Sequence, residues 1–276
     1  MLDPGLENKV VLVTGANHGI GAATAHAFAA QGARVFLTYL RLSPEQFGIS
    51  TEVALAATEK GLPYYHARQM QTADQVVASI REAGGEAAAW EADLTVADNI
   101  PTLFDRAEGQ FGPVEILVNN AAIYQNDDTI TAITPPALAT MFDVNAESTV
   151  LMTAEYIRRY QQRQAIWGRI INLSTSAAQV FAGQIGYGAS KAAVEALTRS
   201  IAIEVGPLGI TVNAIAPGPT QTDYIDAELE AQLVPDIPLR RLGQPEDIAN
   251  SIIFLASQQA DWLTGTVIKV SGGYNL

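Results

Sequence analysis

Short continuous apolar runs alternate along this chain with longer stretches whose apolar residues recur at helical spacing. Lys9–Val13 (KVVLV) is such a run and predicts a buried parallel strand. It leads straight into Thr14–Gly21 (TGANHGIG). A helix follows, with Ala23, Ala27 and Phe28 as its inward candidates, and stops at Gly32; Ala33–Thr38 is a second strand. Strand, glycine loop, helix and strand span about thirty residues, the size of a βαβ unit. From 41 to 72 the pattern turns irregular, with a short helix expected at Thr51–Lys60 and a Gly-Leu-Pro break after it. That is long for a βα connection, so it reads as a surface insertion that either rims a ligand site, contacts another subunit or merely decorates the fold.

Alternation then resumes. Helices are expected at Ala73–Ala83, Asn99–Phe111, Pro136–Gln161, around Tyr187–Lys191, and at Pro245–Ala256. Strands are expected at Glu86–Trp90, Val114–Val118, Arg169–Leu173, Thr211–Ile215 and Thr266–Val270. Strict alternation predicts one doubly wound parallel sheet between two helical layers, a Rossmann-type three-layer α/β/α fold. No linker or repeat divides it, so residues 1–276 are expected to form one domain.

Composition narrows the function. The formal net charge of −13 argues against broad binding to nucleic acid or an anionic membrane, while leaving room for a phosphorylated ligand in a local pocket. The absence of cysteine excludes disulfides, thiolate catalysis and zinc–thiolate sites. His18, His26 and His66 show no ligand spacing with carboxylates, so no metal site is expected. There is no run of 18 apolar residues and no basic-then-apolar N-terminal pattern, and the expectation is a soluble cytoplasmic protein.

Two stretches carry candidate chemistry. In Tyr187-Gly188-Ala189-Ser190-Lys191 a phenol and an ammonium lie one helical turn apart on one face. Moving a tyrosine from about 10 to near 7 requires on the order of 4 kcal/mol. One cation about 4 Å away supplies roughly that at an effective dielectric of about 20. The glycine loop follows a strand and opens a helix, the context in which free N–H groups and the helix dipole hold phosphate. Its spacing is G-x-x-x-G-x-G. Strand ends in such a sheet line the ligand crevice, and Tyr39, Arg41, Asp93, Asn119, Ser174 and Thr175 fall there as a polar rim.

Over nearly its full length the chain resembles the classical short-chain dehydrogenases/reductases. The matching segments are Thr14–Gly21, Asp93-Leu94, Asn119–Ala122 (NNAA), Asn145 in DVN, IINLSTS after Arg169, Tyr187–Lys191, Val212–Thr222 (VNAIAPGPTQT) and the terminal VSGG. The resemblance implies an NAD(P)H-dependent oxidoreductase interconverting a ketone and a secondary alcohol. Tyr187 would be the general acid/base. Lys191 would lower its pKa and bind the nicotinamide ribose, and Asn145 would hold a proton-relaying water. Gly15, Asn17, His18, Gly19, Ile20 and Gly21 would cradle the pyrophosphate. Asp93 and Leu94 would flank the adenine, and Asn119 and Ala121 would line the cleft. Pro217, Gly218, Thr220 and Thr222 would support the nicotinamide side. A homotetramer or homodimer is expected, packed through the long helices.

The chain departs from that pattern twice. The hydroxyl that holds the substrate oxygen falls on Thr175 when counted from Asn172 and on Ser174 when counted back from Tyr187; strand register favours Thr175. Tyr39 stands where NAD-preferring members commonly carry an aspartate, and Arg41 follows two residues on. The cofactor expected is therefore NADP(H), with NAD(H) second. The substrate loop, about 219–244, is acidic, which disfavours a strongly anionic substrate there. Arg158, Arg159 and Arg163 are the basic candidates for docking an acyl carrier, so a 3-oxoacyl thioester reductase stays open. The rival from another class is an inactive dinucleotide-sensing scaffold on the same fold.

Overall fold

The computed structural model describes residues 3–275. In chain order the regular elements begin with β1 (Val10–Thr14), α1 (Gly19–Ala30) and β2 (Arg34–Tyr39). There follow α2 (Thr51–Ala56), α3 (Leu62–Gln69), α4 (Asp74–Glu82), β3 (Glu86–Glu91), α5 (Asn99–Phe111) and β4 (Ile116–Asn119). Next come α6 (Pro135–Phe142), α7 (Ser148–Gln162), β5 (Gly168–Leu173), α8 (Ile185–Val205) and β6 (Ile210–Pro217). The chain closes with α9 (Ala227–Leu233), α10 (Pro245–Ala256) and β7 (Val267–Val270).

All seven strands are parallel, in the order β3-β2-β1-β4-β5-β6-β7. This is the Rossmann-type α/β sheet that the alternation predicts. The two-residue period of each strand sorts its side chains between two cores. Val11, Val13, Val35 and Leu37 pack against Ala25 and Phe28 of α1, Val77 and Ile80 of α4, and Ile252 and Leu255 of α10. Val10, Leu12, Phe36, Ile170 and Val212 face the other way, onto Leu103 and Phe104 of α5, Met152 and Tyr156 of α7, and Val205 of α8. Burial on both faces is why the strands read as unbroken apolar runs.

Three local expectations are revised. The buried face of α1 is Gly21, Thr24, Ala25 and Phe28, while Ala23 and Ala27 are only partly buried. The long helix expected from 136 to 161 is two helices joined by a π turn at Asp143–Glu147. Asn145 sits in that turn, and its side chain bonds to the backbone of Ile123, beyond the end of β4. The insertion holds two helices rather than one, and the helix expected to reach Lys60 ends at Ala56. The insertion lies on the carboxyl ends of the strands. There Phe47 clusters with Ile123 and Met141, and Leu42, Val144 and Tyr187 pack around them.

Candidate active site

Strand order reverses between β1 and β4, and in open α/β sheets ligands bind in the crevice beyond the strand ends at such a point. A cleft with a volume of about 230 Å³ opens there. Its floor is Gly15, Asn17, His18, Gly19, Ile20 and Gly21, and Asn120–Ile123 form one wall. Leu40 and Leu42 after β2, Tyr65 and Gln69 of α3, Val144 and Thr222 complete it.

The glycines are required by geometry. Gly15 is held at φ +64 and Gly19 at φ +56, in the left-handed region that side chains rarely adopt. A Cβ at Gly21 would run into the carbonyl oxygen of Gly15. The loop is stitched to β4 by Asn120, whose amide Nδ2 donates to the carbonyls of Thr14 and Gly15, both at 2.9 Å. In return Thr14 Oγ1 accepts from the N–H groups of Asn120 and Ala121. Asn120 was not among the expected site residues; the doubled asparagine was its only trace in the sequence. His18 is the N-cap of α1, yet its side chain caps nothing, and its buried Nδ1 has no partner among the described residues. Burial, with the charge of Arg68 adding to it, pulls this imidazole down to about 4, so it is neutral at pH 7.

Tyr187 lies in the first turn of α8, in contact with the cluster that also holds Ile123, Val144 and Leu42 of the cleft wall. Asp128, itself buried, fixes that turn. Its carboxylate accepts from the N–H of Gly186 at 2.6 Å and of Tyr187 at 2.9 Å. A carboxylate on a helix N-terminus is stabilised by the free N–H groups and the dipole. Nothing in the sequence beyond a loop acid marks Asp128 for this task. The hydrogen bonds of Tyr187 are those of its backbone, and among the described residues its hydroxyl is paired with no protein group.

The electrostatics differ from the expectation that Lys191 lowers the tyrosine. Burial pushes the Tyr187 phenol well above the ordinary tyrosine value, and Tyr224 and Tyr65 add to the effect. The Lys191 ammonium donates to the carbonyl of Leu173 at 2.8 Å and stands 6.0 Å from the Tyr187 ring centre. Burial also pulls Lys191 down to about 8. Desolvation thus outweighs a cation that is turned towards a backbone carbonyl, and the phenol rests neutral.

The strand-five hydroxyls diverge. Ser174 continues the face of Ile170 and Asn172, which looks onto α8, and its Oγ donates to the buried Glu195 Oε1 at 2.8 Å. Thr175 lies on the opposite side. Its Oγ1 accepts from the N–H of Ala177 at 3.3 Å, which leaves its own proton for another acceptor. Asn145 is wholly buried. Its amide accepts from Ile123 N–H, donates to Ile123 O and donates to Ser190 Oγ, which in turn donates to Tyr187 O. The side chain therefore ties the π turn and the β4 loop to α8.

The other expected residues scatter. Tyr39 shares the face of Val35 and Leu37 and is buried in the core, not on the rim. Arg41 is ion-paired with Glu91 at 2.9 Å. Asn119 points beneath the cleft, donating to Asn172 Oδ1 and Thr153 Oγ1. Leu94 packs in the core below, and Asp93 Oδ1 accepts from both N–H and hydroxyl of Thr95. Pro217 ends β6, and Gly218 N–H bonds to Val270 O. Thr220 turns back on Gly218 O, whereas Thr222 reaches the cleft beside Gly19. Arg158, Arg159 and Arg163 are engaged by Glu155, Asp105 and Glu108. Among the described residues no cluster of His, Asp or Glu is arranged to hold a metal, and no helix is long and apolar enough to cross a membrane.

A floor of close-approach glycines, free N–H groups at the start of α1, and an unpartnered histidine nitrogen fit the diphosphate of a dinucleotide. Comparison with known proteins agrees with that fit. A family model described as enoyl-(acyl carrier protein) reductase matches residues 44–275, and one described as short chain dehydrogenase matches residues 9–47. The short-chain reductase protein NovJ of Streptomyces niveus is 34% identical over 277 residues, covering 97% of this chain and 94% of its own. A 3-oxoacyl-[acyl-carrier-protein] reductase of Synechocystis is 34% identical over 270 residues, covering 97% of each. Among solved structures, a dehydrogenase/reductase from Sinorhizobium meliloti superposes with a TM-score of 0.80 at 31% identity, covering 98% of this chain and 96% of that one. The chain belongs to the short-chain dehydrogenase/reductase family of NAD(P)-dependent oxidoreductases.

Proposed function

We propose that the protein reduces a ketone to a secondary alcohol, or runs the reverse reaction, with Tyr187 as the group that moves the proton. The observation that carries this reading is the Tyr187 hydroxyl, unpaired among the described residues, on a side chain packed against the cluster of Phe47, Ile123 and Met141, of which Ile123 also lines the cleft over the glycine loop. A neutral phenol is the form a general acid requires, and burial keeps it neutral. Thr175 donates a hydrogen bond from its hydroxyl to the carbonyl oxygen and holds it against the phenol. Tyr187 then delivers its proton to that oxygen as negative charge develops. Lys191, released from Leu173 O, stabilises the phenolate left behind and holds the nicotinamide ribose hydroxyls. Asn145 positions the helix that carries both. A bound nicotinamide dinucleotide supplies the hydride. Its diphosphate would rest on Gly15–Gly21, beside Asn120, Ala121 and Thr222, which line the same cleft; the family resemblance would set Asp93 towards the adenosine and Pro217 and Gly218 towards the nicotinamide.

For the cofactor, NADP(H) is preferred over NAD(H). Tyr39, not an aspartate, ends β2, and Arg41 follows, half-exposed, with Glu91 as its counter-charge. An acyl-carrier substrate has less support, because the arginines on α7 are engaged by acids of the chain itself. The substrate is a small carbonyl compound. Deuterium-labelled reduced cofactor, incubated with a panel of ketones, tests the reading. Label on the carbinol carbon is expected. Dinucleotide binding without label in any product would leave the scaffold reading in its place.

A further inference from the structure

The glycine loop Thr14–Gly21 contains no arginine or lysine. A diphosphate carries about two negative charges, and Arg41 is already paired with Glu91. A cation whose charge is felt at that loop comes from the insertion. Helix α3 contributes Tyr65 and Gln69 to the wall of the cleft, and the Tyr65 ring packs edge-on against His18, with centroids 5.4 Å apart. Arg68 lies on the same helix, and its charge is felt at His18. Its guanidinium is under-used. Nη1 donates to Gln71 Oε1 at 2.8 Å, but Nε, buried, reaches no hydrogen-bond acceptor among the described residues. The carboxylate of Asp223 stands 3.7 Å from that Nε, outside hydrogen-bond range.

Asp223 follows Thr222, whose side chain packs beside Gly19 at the cleft. The insertion is also tied to this point by main chain, the N–H of Gly61 donating to Asp223 O at 2.8 Å, and by Tyr65 against Tyr224. Arg68 is therefore anchored at the seam between the glycine loop and the substrate loop, with a loose counter-charge and unspent donors.

Building on the dinucleotide reading above, we infer that Arg68 is a cofactor-binding residue: it donates to the diphosphate across the mouth of the cleft, and Asp223 is the counter-charge it leaves to do so. The insertion thereby serves as a clamp over the diphosphate. Arginine suits this role because its planar fork matches phosphate oxygens.

Dissociation constants of the full chain for NADPH, NADH, ADP-ribose and adenosine, measured by calorimetry, test the inference. Arg68→Gln is expected to weaken NADPH, NADH and ADP-ribose by about ten- to a hundredfold alike, the range for a hydrogen bond to a charged group, and to leave adenosine unchanged. Asp223→Asn removes the competing charge and is expected to tighten the three by about three- to fivefold. Asparagine tolerates the left-handed backbone of that residue, φ +78, so this variant keeps the test alive if Arg68→Gln does not fold. A parent that binds while both variants bind equally well overturns the clamp and spares the oxidoreductase reading. A loss confined to NADPH overturns it also, assigning Arg68 to the 2′-phosphate. A parent that binds no dinucleotide overturns both.

Discussion

Replacing the two neighbouring strand-five hydroxyls one at a time separates a structural serine from a catalytic threonine. Ser174 Oγ donates at 2.8 Å to Glu195, and both residues are buried. Ser174→Ala leaves a buried carboxylate oxygen without its donor, which costs about 1–3 kcal/mol. For a domain of this size that lowers Tm by about 2–4 °C for each kcal/mol. The turnover of the folded enzyme is expected to stay within about twofold of the parent. Among the described residues the proton of Thr175 Oγ1 has no protein acceptor, and removing one donor from a developing oxyanion costs about 10²–10³ in kcat. Thr175→Ala is therefore expected to lose about that factor with Tm nearly unchanged, and Thr175→Ser to recover most of it. Steady-state kinetics with the best ketone, beside differential scanning calorimetry, read both quantities. If Ser174→Ala abolishes turnover and Thr175→Ala does not, the assignment by strand face is wrong.

Three further outcomes follow from the same geometry. Lys191, held near 8 against an ordinary 10.5, makes the folded state bind fewer protons than the unfolded chain between those values, so folding stability should rise as pH climbs from about 8 to 10.5. Lys191→Met removes a buried charge worth on the order of 3 kcal/mol, and should raise Tm at pH 7, flatten that rise and abolish turnover; an unchanged pH dependence of Tm refutes the burial argument. Asp128→Ala strips the first turn of α8 of its carboxylate cap and should cost about 1–2 kcal/mol by denaturant melt and lower kcat, with Asp128→Asn restoring part of each; a silent alanine variant would show that the cap does not position Tyr187. Glu91→Gln frees Arg41 and should raise the NADPH-over-NADH ratio of kcat/KM by up to about fivefold; an unchanged ratio removes Arg41 from cofactor choice.

The sheet was legible because burial on both faces writes strands as unbroken apolar runs, and the last helix, Pro245–Ala256, opens on a proline. The glycine loop was legible because its backbone needs glycine at Gly15 and Gly19. What escaped was pairing over distance. The ion pair of Arg41 with Glu91 joins two strand ends fifty positions apart, and the α7 arginines meet acids on α5. Tyr39 was assigned to the rim by its place after a strand, although the period through Val35 and Leu37 already sent it into the core. The electrostatic setting of Tyr187 was not legible for another reason. Spacing on a helix gives the separation of two side chains along the axis, but not that a lysine will turn to a backbone carbonyl at Leu173 while burial raises its neighbour.

The central claim is that Tyr187 delivers the proton. Its most direct test is the single-turnover rate of ketone reduction by Tyr187→Phe with the reduced cofactor pre-bound. The account predicts a fall of at least about a thousandfold, at the upper end of acid–base effects, with the dissociation constant of the cofactor within about threefold of the parent. Reduction by the phenylalanine variant at the parent's rate would contradict it.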